Sequence, residues 1–113
     1  MTLYVAGKMR GLPLLNYPAF DAATKYLRDW GHIVYSPAEH SREIGFDEYA
    51  ITKYDETGHP ITVDLKEAIM WDLNAVAESD GIYVLEGWET SPGANLEISL
   101  AKFLNKKIIF QTP

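Results

Sequence analysis

The sequence predicts an α/β protein, a single-domain three-layer sandwich around a parallel sheet of four to five strands. Short apolar runs that suit buried strands alternate with segments of helical period along the 113 residues. The predicted order is strand, helix, strand, irregular segment, helix, strand, helix, strand. Strands that are apolar on both faces and separated by helices indicate a parallel sheet covered on both sides, of flavodoxin or Rossmann-like type.

The first half of the chain supplies two of these strands. "TLYVA" at 2–6 is β-rich and is followed at once by glycine, which is typical of a buried strand. A helix is predicted from Pro18 to a C-cap at Gly31, because apolar residues recur at three- and four-residue steps: Phe20, Ala23, Leu27 and Trp30. "HIVYS" at 32–36 is the second strand, and Pro37 ends it.

The second half has clearer boundaries after an ambiguous segment. Residues 38–63 give the weakest pattern, with a short helix possible within 43–54 and turn residues around Gly58 and Pro60. Asp64 and Glu67 resemble a capping box, which predicts a helix to about Ser79. The third and fourth strands are predicted at 81–86 and 106–111, with a helix over 92–104 between them.

Composition excludes several classes of function. The chain has no cysteine, which removes disulfides, thiolate nucleophiles and cysteine-bound zinc and fits a reducing cytoplasm. The net charge of −6 argues against a nucleic-acid polymer as partner. No stretch has the length of a membrane span, and the N-terminus lacks the charged start of a signal peptide. The three histidines show no metal spacing, and a dinucleotide-binding glycine motif is absent, so we expect neither metal nor cofactor.

Two predicted helices each carry one acid on an apolar face. Asp72 lies in the middle of a face formed by Leu65, Ala68, Ile69 and Val76. Glu97 lies beside an apolar stripe of the last helix, expected to face the core and formed by Leu96, Leu100, Phe103 and Leu104. Burying an unpaired carboxylate is costly, so each acid is either paired structurally or functional, and both interpretations remain open. Paired carboxylates are the usual chemistry for cleaving glycosidic bonds.

The loops after the first and third strands meet at the carboxyl edge of such a sheet, where ligands bind. The first loop, "GKMRG", places Lys8 and Arg10 between Gly7 and Gly11. The second loop leads to a helix start in which Ser91 is the N-cap, Pro92 follows, and Gly93 exposes a backbone amide. Capping alone explains the serine, but two cations beside a helix N-terminus also suit a phosphate.

The sequence resembles the nucleoside 2-deoxyribosyltransferase-like superfamily over nearly its whole length. The residues that carry the resemblance are "YVAGKMRG", "NYPAF", "SPAE", "WDL", "SDGIYVLEGWETSPGANLEISLA" and "NKKIIF". The pattern is closest to a branch of short phage and bacterial proteins of unassigned activity, and it is similar to the 2′-deoxynucleoside 5′-monophosphate N-glycosidases. In the short branch the first loop usually has proline and threonine or serine where this chain has Lys8 and Arg10.

The resemblance implies a site and a reaction. Glu97 would be the nucleophile at C1′, Asp72 would orient the sugar and help to protonate the leaving base, and Tyr4 would line the site. Arg10, Ser91 and the Gly93 amide would hold a 5′-phosphate, with Lys8 as a further contact. The implied function is hydrolysis of the N-glycosidic bond of a (deoxy)nucleoside 5′-monophosphate. The alternatives are a nucleoside 2-deoxyribosyltransferase and a non-catalytic nucleotide-binding module.

Three further expectations complete the prediction. The partner is a small nucleotide or nucleoside, and the chain is expected to form a homo-oligomer, a dimer or larger. Trp88 either stacks on the base or packs within the protein, and both interpretations remain open. His40 is interpreted as a solvated loop residue rather than a ligand contact, because nothing in the sequence fixes it.

Overall fold

A computed structural model describes residues 1–51, 53–54, 56, 60 and 64–112. In this part of the chain four strands form one sheet in the order β2-β1-β3-β4, and every pair is parallel. The strands are β1 Thr2–Ala6, β2 Ile33–Tyr35, β3 Gly81–Val84 and β4 Lys107–Phe110. The predicted α/β fold with a parallel sheet is therefore confirmed, and strand order reverses between β1 and β3.

Helices cover both faces of this sheet, which gives the expected three layers. They are α1 Tyr17–Asp29, α2 Pro37–Glu43, α3 Leu65–Glu78 and α4 Pro92–Phe103. Side chains alternate along β1, so Leu3 and Val5 pack with α1 on one face. Tyr4 and Ala6 point to the other face, where they pack against α3 and α4.

Helix α2 was not predicted, although its start signal is in the sequence. Ser36 is its N-cap, accepting a hydrogen bond of 3.4 Å from the amide of Glu39, and Pro37 takes the first helical position. The prediction used Pro37 only to end the preceding strand. The short helix expected within 43–54 is a single 3-10 turn, Glu48–Ala50. Of the predicted turn, Gly58 lies outside the described residues, and Pro60 forms an antiparallel bridge with Tyr54.

The apolar stripe of α4 does not face the core, which corrects the prediction. Leu96, Phe103 and Leu104 are exposed and Leu100 is half-buried, whereas the core face consists of Ala94, Glu97, Ile98 and Ala101. The two alanines let the helix approach the sheet closely, so the larger apolar residues are left outside. Leu65, at the start of α3, is likewise exposed.

Charged side chains fix α2 beside the sheet. The Arg42 guanidinium donates two hydrogen bonds of 2.9 Å to the Asp21 carboxylate of α1 and also pairs with Glu48. It lies 5.1 Å from the centre of the Tyr17 ring. The Arg42 hydrogen bonds hold the pKa of buried Glu48 below its ordinary value. This network ties α1, α2 and the 3-10 turn together.

Close packing and unusual backbone geometry shape the loop after β1. A Cβ at Gly7 would lie 2.8 Å from the Leu85 side chain, so only glycine lets this loop approach the end of β3 so closely. The loop ends in a left-handed turn of three non-glycine residues, Leu14, Leu15 and Asn16, with φ of 51°, 53° and 61°. The Asn16 side-chain amide donates a 3.0 Å hydrogen bond to the Lys8 carbonyl and so holds the loop.

Candidate active site

A cleft of about 1490 Å³ opens at the carboxyl ends of the strands, next to the reversal of strand order. Its walls come from the loop after β1, from α2 and the 3-10 turn that follows, and from the first turns of α3 and α4. Tyr4, Asp72 and Glu97 all line it. Because β1 and both acid-bearing helices converge here, residues far apart in sequence meet in one place.

Tyr4 and Glu97 are in direct contact. The Tyr4 hydroxyl donates a hydrogen bond of 2.5 Å to Oε2 of Glu97, and the two residues are only 1% and 5% exposed. Tyr4 reaches the acid because it points from the central strand toward α4. The prediction that Glu97 lies on the inner side of its helix is correct, although the neighbours on that face are different ones.

Asp72 is near enough to this pair to affect it electrostatically. Burial raises the pKa of Asp72 to about 7, against the lowering effect of the Tyr4 hydroxyl. Burial also raises the pKa of Glu97 well above its ordinary value, and the Asp72 charge adds to the rise while Tyr4 opposes it. The pKa of Tyr4 is raised by burial and then by the two carboxylates. Burial of both acids and the repulsion between their charges therefore favour retention of a proton by the pair.

The residues predicted to bind the substrate, Trp88 excepted, belong to the cleft. Gly7, Lys8, Arg10, Gly11, Ser91 and Gly93 all line it. Ser91 caps α4 by accepting a 3.2 Å hydrogen bond from the amide of Ala94. Lys8 donates a 3.0 Å hydrogen bond from Nζ to Thr90 Oγ1, which links the two loops.

The amide of Gly93 is available to a ligand. It lies in the first turn of α4, where amides have no intrahelical acceptor, and no described residue accepts a hydrogen bond from it. A Cβ built on Gly93 would meet nothing within 4 Å, so the backbone faces open space. The start of α4 thus presents a free donor to the cleft.

The structure adds an aromatic wall that the sequence did not predict. The rings of His40 and Trp71 stack with centroids 4.0 Å apart and planes inclined by 7°, and both residues line the cleft. The Trp71 ring lies 6.5 Å from that of Tyr4. His40 was interpreted as a solvated loop residue because α2 had not been predicted. The Ser36–Pro37 helix start was the signal that places it on a helix.

Trp88 is the one predicted binding residue that the structure places elsewhere. Its ring packs against Phe110 of β4 at a centroid distance of 5.5 Å, and it does not belong to the described lining of the cleft. Of the two interpretations left open, packing within the protein is therefore the one that the geometry favours. Phe110 belongs to β4, the edge strand beside β3, so the ring packs at that edge of the sheet.

The described residues contain no group of three or more histidine, aspartate or glutamate side chains placed to bind a metal ion. None of the helices in the described part of the chain is long and apolar enough to cross a membrane.

Comparison with solved structures defines the class of fold. The chain is similar to a 2-deoxyribosyltransferase from the psychrotolerant bacterium Bacillus psychrosaccharolyticus, with a TM-score of 0.67 and 19% sequence identity. The match covers 97% of this chain and 71% of the transferase chain. At this identity the likeness establishes the fold alone.

Comparison of sequences identifies the family. Residues 1–110 match the family described as "Domain of unknown function (DUF4406)", and the chain belongs to it. No curated protein matches the chain.

Proposed function

We propose that the cleft cleaves the N-glycosidic bond of a nucleoside 5′-monophosphate, with Glu97 as the nucleophile. The observation that carries the proposal is the buried Glu97 carboxyl group, which accepts a 2.5 Å hydrogen bond from Tyr4 and is electrostatically coupled to Asp72. An acid kept in this environment is costly for the fold, and catalysis is the role that best explains its cost. Enzymes that cleave glycosidic bonds usually use two adjacent carboxyl groups with different roles.

The proposed reaction has two steps, formation and hydrolysis of an ester between Glu97 and the sugar. In the first, a Glu97 oxygen bonds to C1′ while the bond from C1′ to the base nitrogen breaks, and the base leaves with a proton from Asp72. In the second, water attacks C1′, the ester to Glu97 breaks, and Asp72 takes up the proton from the water. The products are the free base and a sugar 5-phosphate, and Glu97 is again a carboxylate.

The first step needs Glu97 as the carboxylate and Asp72 as the carboxylic acid. Burial and the Asp72 charge favour the neutral form of Glu97, so the Tyr4 hydrogen bond is the contact that suits its role. Because the Tyr4 hydroxyl donates to Glu97, it favours the charged form of that acid when Asp72 holds the shared proton. With a pKa of about 7, Asp72 can release and recover a proton within one cycle.

The chemistry of the cleft walls favours a nucleotide as substrate. In a chain of net charge −6, Lys8 and Arg10 bring positive charge to the cleft that the Gly93 amide also lines. A 5′-phosphate bound by these residues lies on the side of β1 and β3, since their two loops follow those strands. Across the acids lies α2, which follows β2 on the opposite side and contributes His40 to the stack on Trp71. A flat base extending from C1′ would meet this aromatic wall.

The second candidate function is transfer of the sugar to another base. It is supported by the similarity in fold to a 2-deoxyribosyltransferase. The two functions share the first step and differ only in whether water or a second base attacks the Glu97 ester. A non-catalytic nucleotide-binding module is the third alternative.

Incubation with a panel of nucleosides and nucleoside 5′-monophosphates tests the proposal, with free base measured by chromatography. We expect base release from at least one monophosphate, faster than from its nucleoside, and none by Glu97→Gln. A second base added to the same reaction yields a new nucleotide if the protein is a transferase. Binding of monophosphates without any base release would contradict catalysis and leave the module.

A further inference from the structure

Asn16 stands at the N-cap position of α1, but its side chain does not cap that helix. At the same position of α2, α3 and α4, the side chains of Ser36, Asp64 and Ser91 each accept a hydrogen bond from an amide of their own helix. The Asn16 side chain makes no such bond to α1, all of whose residues are described. Its Nδ2 instead donates a 3.0 Å hydrogen bond to the Lys8 carbonyl, eight residues earlier. Asn16 therefore serves the loop after β1 rather than the helix.

The backbone around Asn16 is suited to holding that loop. Asn16 has φ of 61°, a left-handed conformation that asparagine tolerates better than most residues. Leu14 and Leu15 share this conformation, which is unfavourable for leucine, and Leu15 is fixed by burial in the core. Such backbone strain persists only where the surrounding structure imposes it. Asn16 thus connects the Lys8 carbonyl to a turn that is itself anchored in the core.

Asn95 of α4 holds the loop after β3 in the same way. Its Nδ2 donates hydrogen bonds of 2.9 Å to the Ser91 carbonyl and 3.2 Å to the Glu89 carbonyl. These bonds fix the turn that carries Thr90, whose Oγ1 accepts the 3.0 Å hydrogen bond from Lys8 Nζ. Each of the two loops is thus held by one asparagine, and Lys8 joins the loops to each other.

We propose that Asn16 and Asn95 are positioning residues for the anion site, by which we mean Lys8, Arg10 and the Gly93 amide. Both asparagines are half-buried and neither belongs to the described lining of the cleft, so they act on a bound anion only through the loops. A loop that is fixed before binding loses less conformational entropy when the phosphate arrives, which raises the affinity. The inference rests on the phosphate contacts of the proposed function, but it does not depend on release of the base.

Isothermal titration calorimetry with 2-deoxyribose 5-phosphate and ribose 5-phosphate tests the proposal. These probes carry the phosphate but have no glycosidic bond, so the protein cannot consume them. Asn16→Gly keeps the left-handed backbone without steric cost and removes the side-chain donor. Asn95→Ala removes the other donor and preserves the helix. We expect each variant to raise the Kd of a probe about 5- to 10-fold, the effect of losing one hydrogen bond.

A double-mutant cycle distinguishes positioning from general support of the fold. Lys8→Ala removes the ammonium group but keeps the carbonyl that Asn16 binds. If Asn16 acts by positioning Lys8, then Asn16→Gly should raise the Kd by no more than about 2-fold once Lys8→Ala is present. An effect as large as in the wild-type background would make Asn16 a purely structural residue and overturn its assignment.

Asn105→Gly and Asn74→Ala are the matched controls. Asn105 has the same left-handed backbone as Asn16, with φ of 56°, but is exposed beyond the far end of α4. Asn74 is an exposed asparagine within α3, as Asn95 is a half-buried one within α4. Both control variants should leave the Kd unchanged, and thermal melting verifies the fold of every protein.

The outcomes separate this inference from the proposed function. An unchanged Kd for Asn16→Gly or for Asn95→Ala overturns the assignment of that residue, while the phosphate site stands. A wild type that binds neither sugar phosphate refutes the phosphate contacts of the proposed function, and the positioning role with them. Probe binding that responds as expected in a protein that releases no base supports the inference and refutes only the proposed cleavage.

Discussion

The Tyr4 hydroxyl on the central strand donates a 2.5 Å hydrogen bond to Glu97 on the last helix, between residues 93 positions apart. Both side chains are buried, so water has little access to this contact. The hydrogen bond lowers the pKa of the Glu97 carboxyl group, whereas burial and the Asp72 charge raise it. Tyr4 therefore controls how readily Glu97 becomes a carboxylate.

Removing the hydroxyl with Tyr4→Phe should slow base release about 100-fold, the effect typical of losing one donor at a reacting centre. The pKa of Glu97 should rise further, so the acid limb of the kcat/KM profile should move to higher pH. Tyr35→Phe is the matched control, since Tyr35 is the register partner of Tyr4 on β2. Equal profiles for the two variants would show that the hydroxyl has no role in the reaction.

Glu97→Gln should abolish base release, by at least about 1000-fold, because an amide is a poor nucleophile at C1′. The fold should be as stable as the wild type or more stable above neutral pH. The amide oxygen still accepts from Tyr4, and no charge has to be buried. Kinetics and melting temperature are measured on the same samples. A variant that melts early but keeps its turnover per folded molecule would make Glu97 a purely structural residue.

Ionisation of Asp72 should lower the stability of the fold as pH rises. Its pKa is about 7 in the folded protein and 3.8 ordinarily, so between these values the folded state binds more protons than the unfolded state. The stabilisation is therefore fully present below about pH 4 and is lost as pH rises to about 7, by up to roughly 4 kcal/mol. Asp72→Asn should flatten this part of the curve in denaturant titrations. Glu78→Gln, exposed on the same helix, should not, and parallel curves for wild type and Asp72→Asn would contradict the prediction.

Gly93→Ala should stabilise the fold and weaken phosphate binding. The added methyl group meets nothing within 4 Å, and alanine favours a helix over glycine by about 0.5–1 kcal/mol. The same methyl group would occupy the space that a phosphate needs to reach the amide. We expect a higher melting temperature with a KM for monophosphates raised about 10-fold or more, and an unchanged KM for nucleosides. Unchanged KM values for both would place the phosphate elsewhere.

Arg10→Ala should affect monophosphates more than nucleosides, because only the monophosphates carry the charge of a phosphate. Loss of the guanidinium should reduce kcat/KM for monophosphates by at least about 10-fold, the cost of one charge-assisted hydrogen bond, and leave nucleosides nearly unaffected. Raising the ionic strength should diminish the difference for the wild type. An equal loss for both substrates would mean that Arg10 supports the loop rather than the phosphate.

The parts of this fold that depend on local pattern could be predicted from the sequence. The four strands follow from short apolar runs, and Asp72 and Glu97 could be placed on inner helix faces by helical period alone. The clustering of Tyr4 with both acids followed from the resemblance. Their catalytic roles are predictions that the experiments above must test.

The predictions were wrong where tertiary packing determines which way a side chain faces. An apolar stripe at helical period is the same signal whether it meets the core or another molecule, so Leu96 and Phe103 were assigned to the wrong surface. The position of His40 depends on a helix whose N-cap is Ser36 and on stacking with Trp71, which is 31 positions away. No local sequence pattern connects His40 with Trp71. For Trp88 both stacking on the base and packing within the protein were open from the sequence, and its contact with Phe110 favours packing.

The hydrogen bond between the first strand and the last helix also determines when, during folding, the cleft can form. Tyr4 is synthesised long before Glu97, and β1 gains its second neighbour only when β3 follows some 75 residues later. Contacts of such sequence separation close large loops and form slowly. The cleft is therefore a late product of folding, because it needs both the first strand and the last helix. Appearance of base-releasing activity during refolding would report the pairing of β1 with β3 and the packing of α4 rather than formation of any local element.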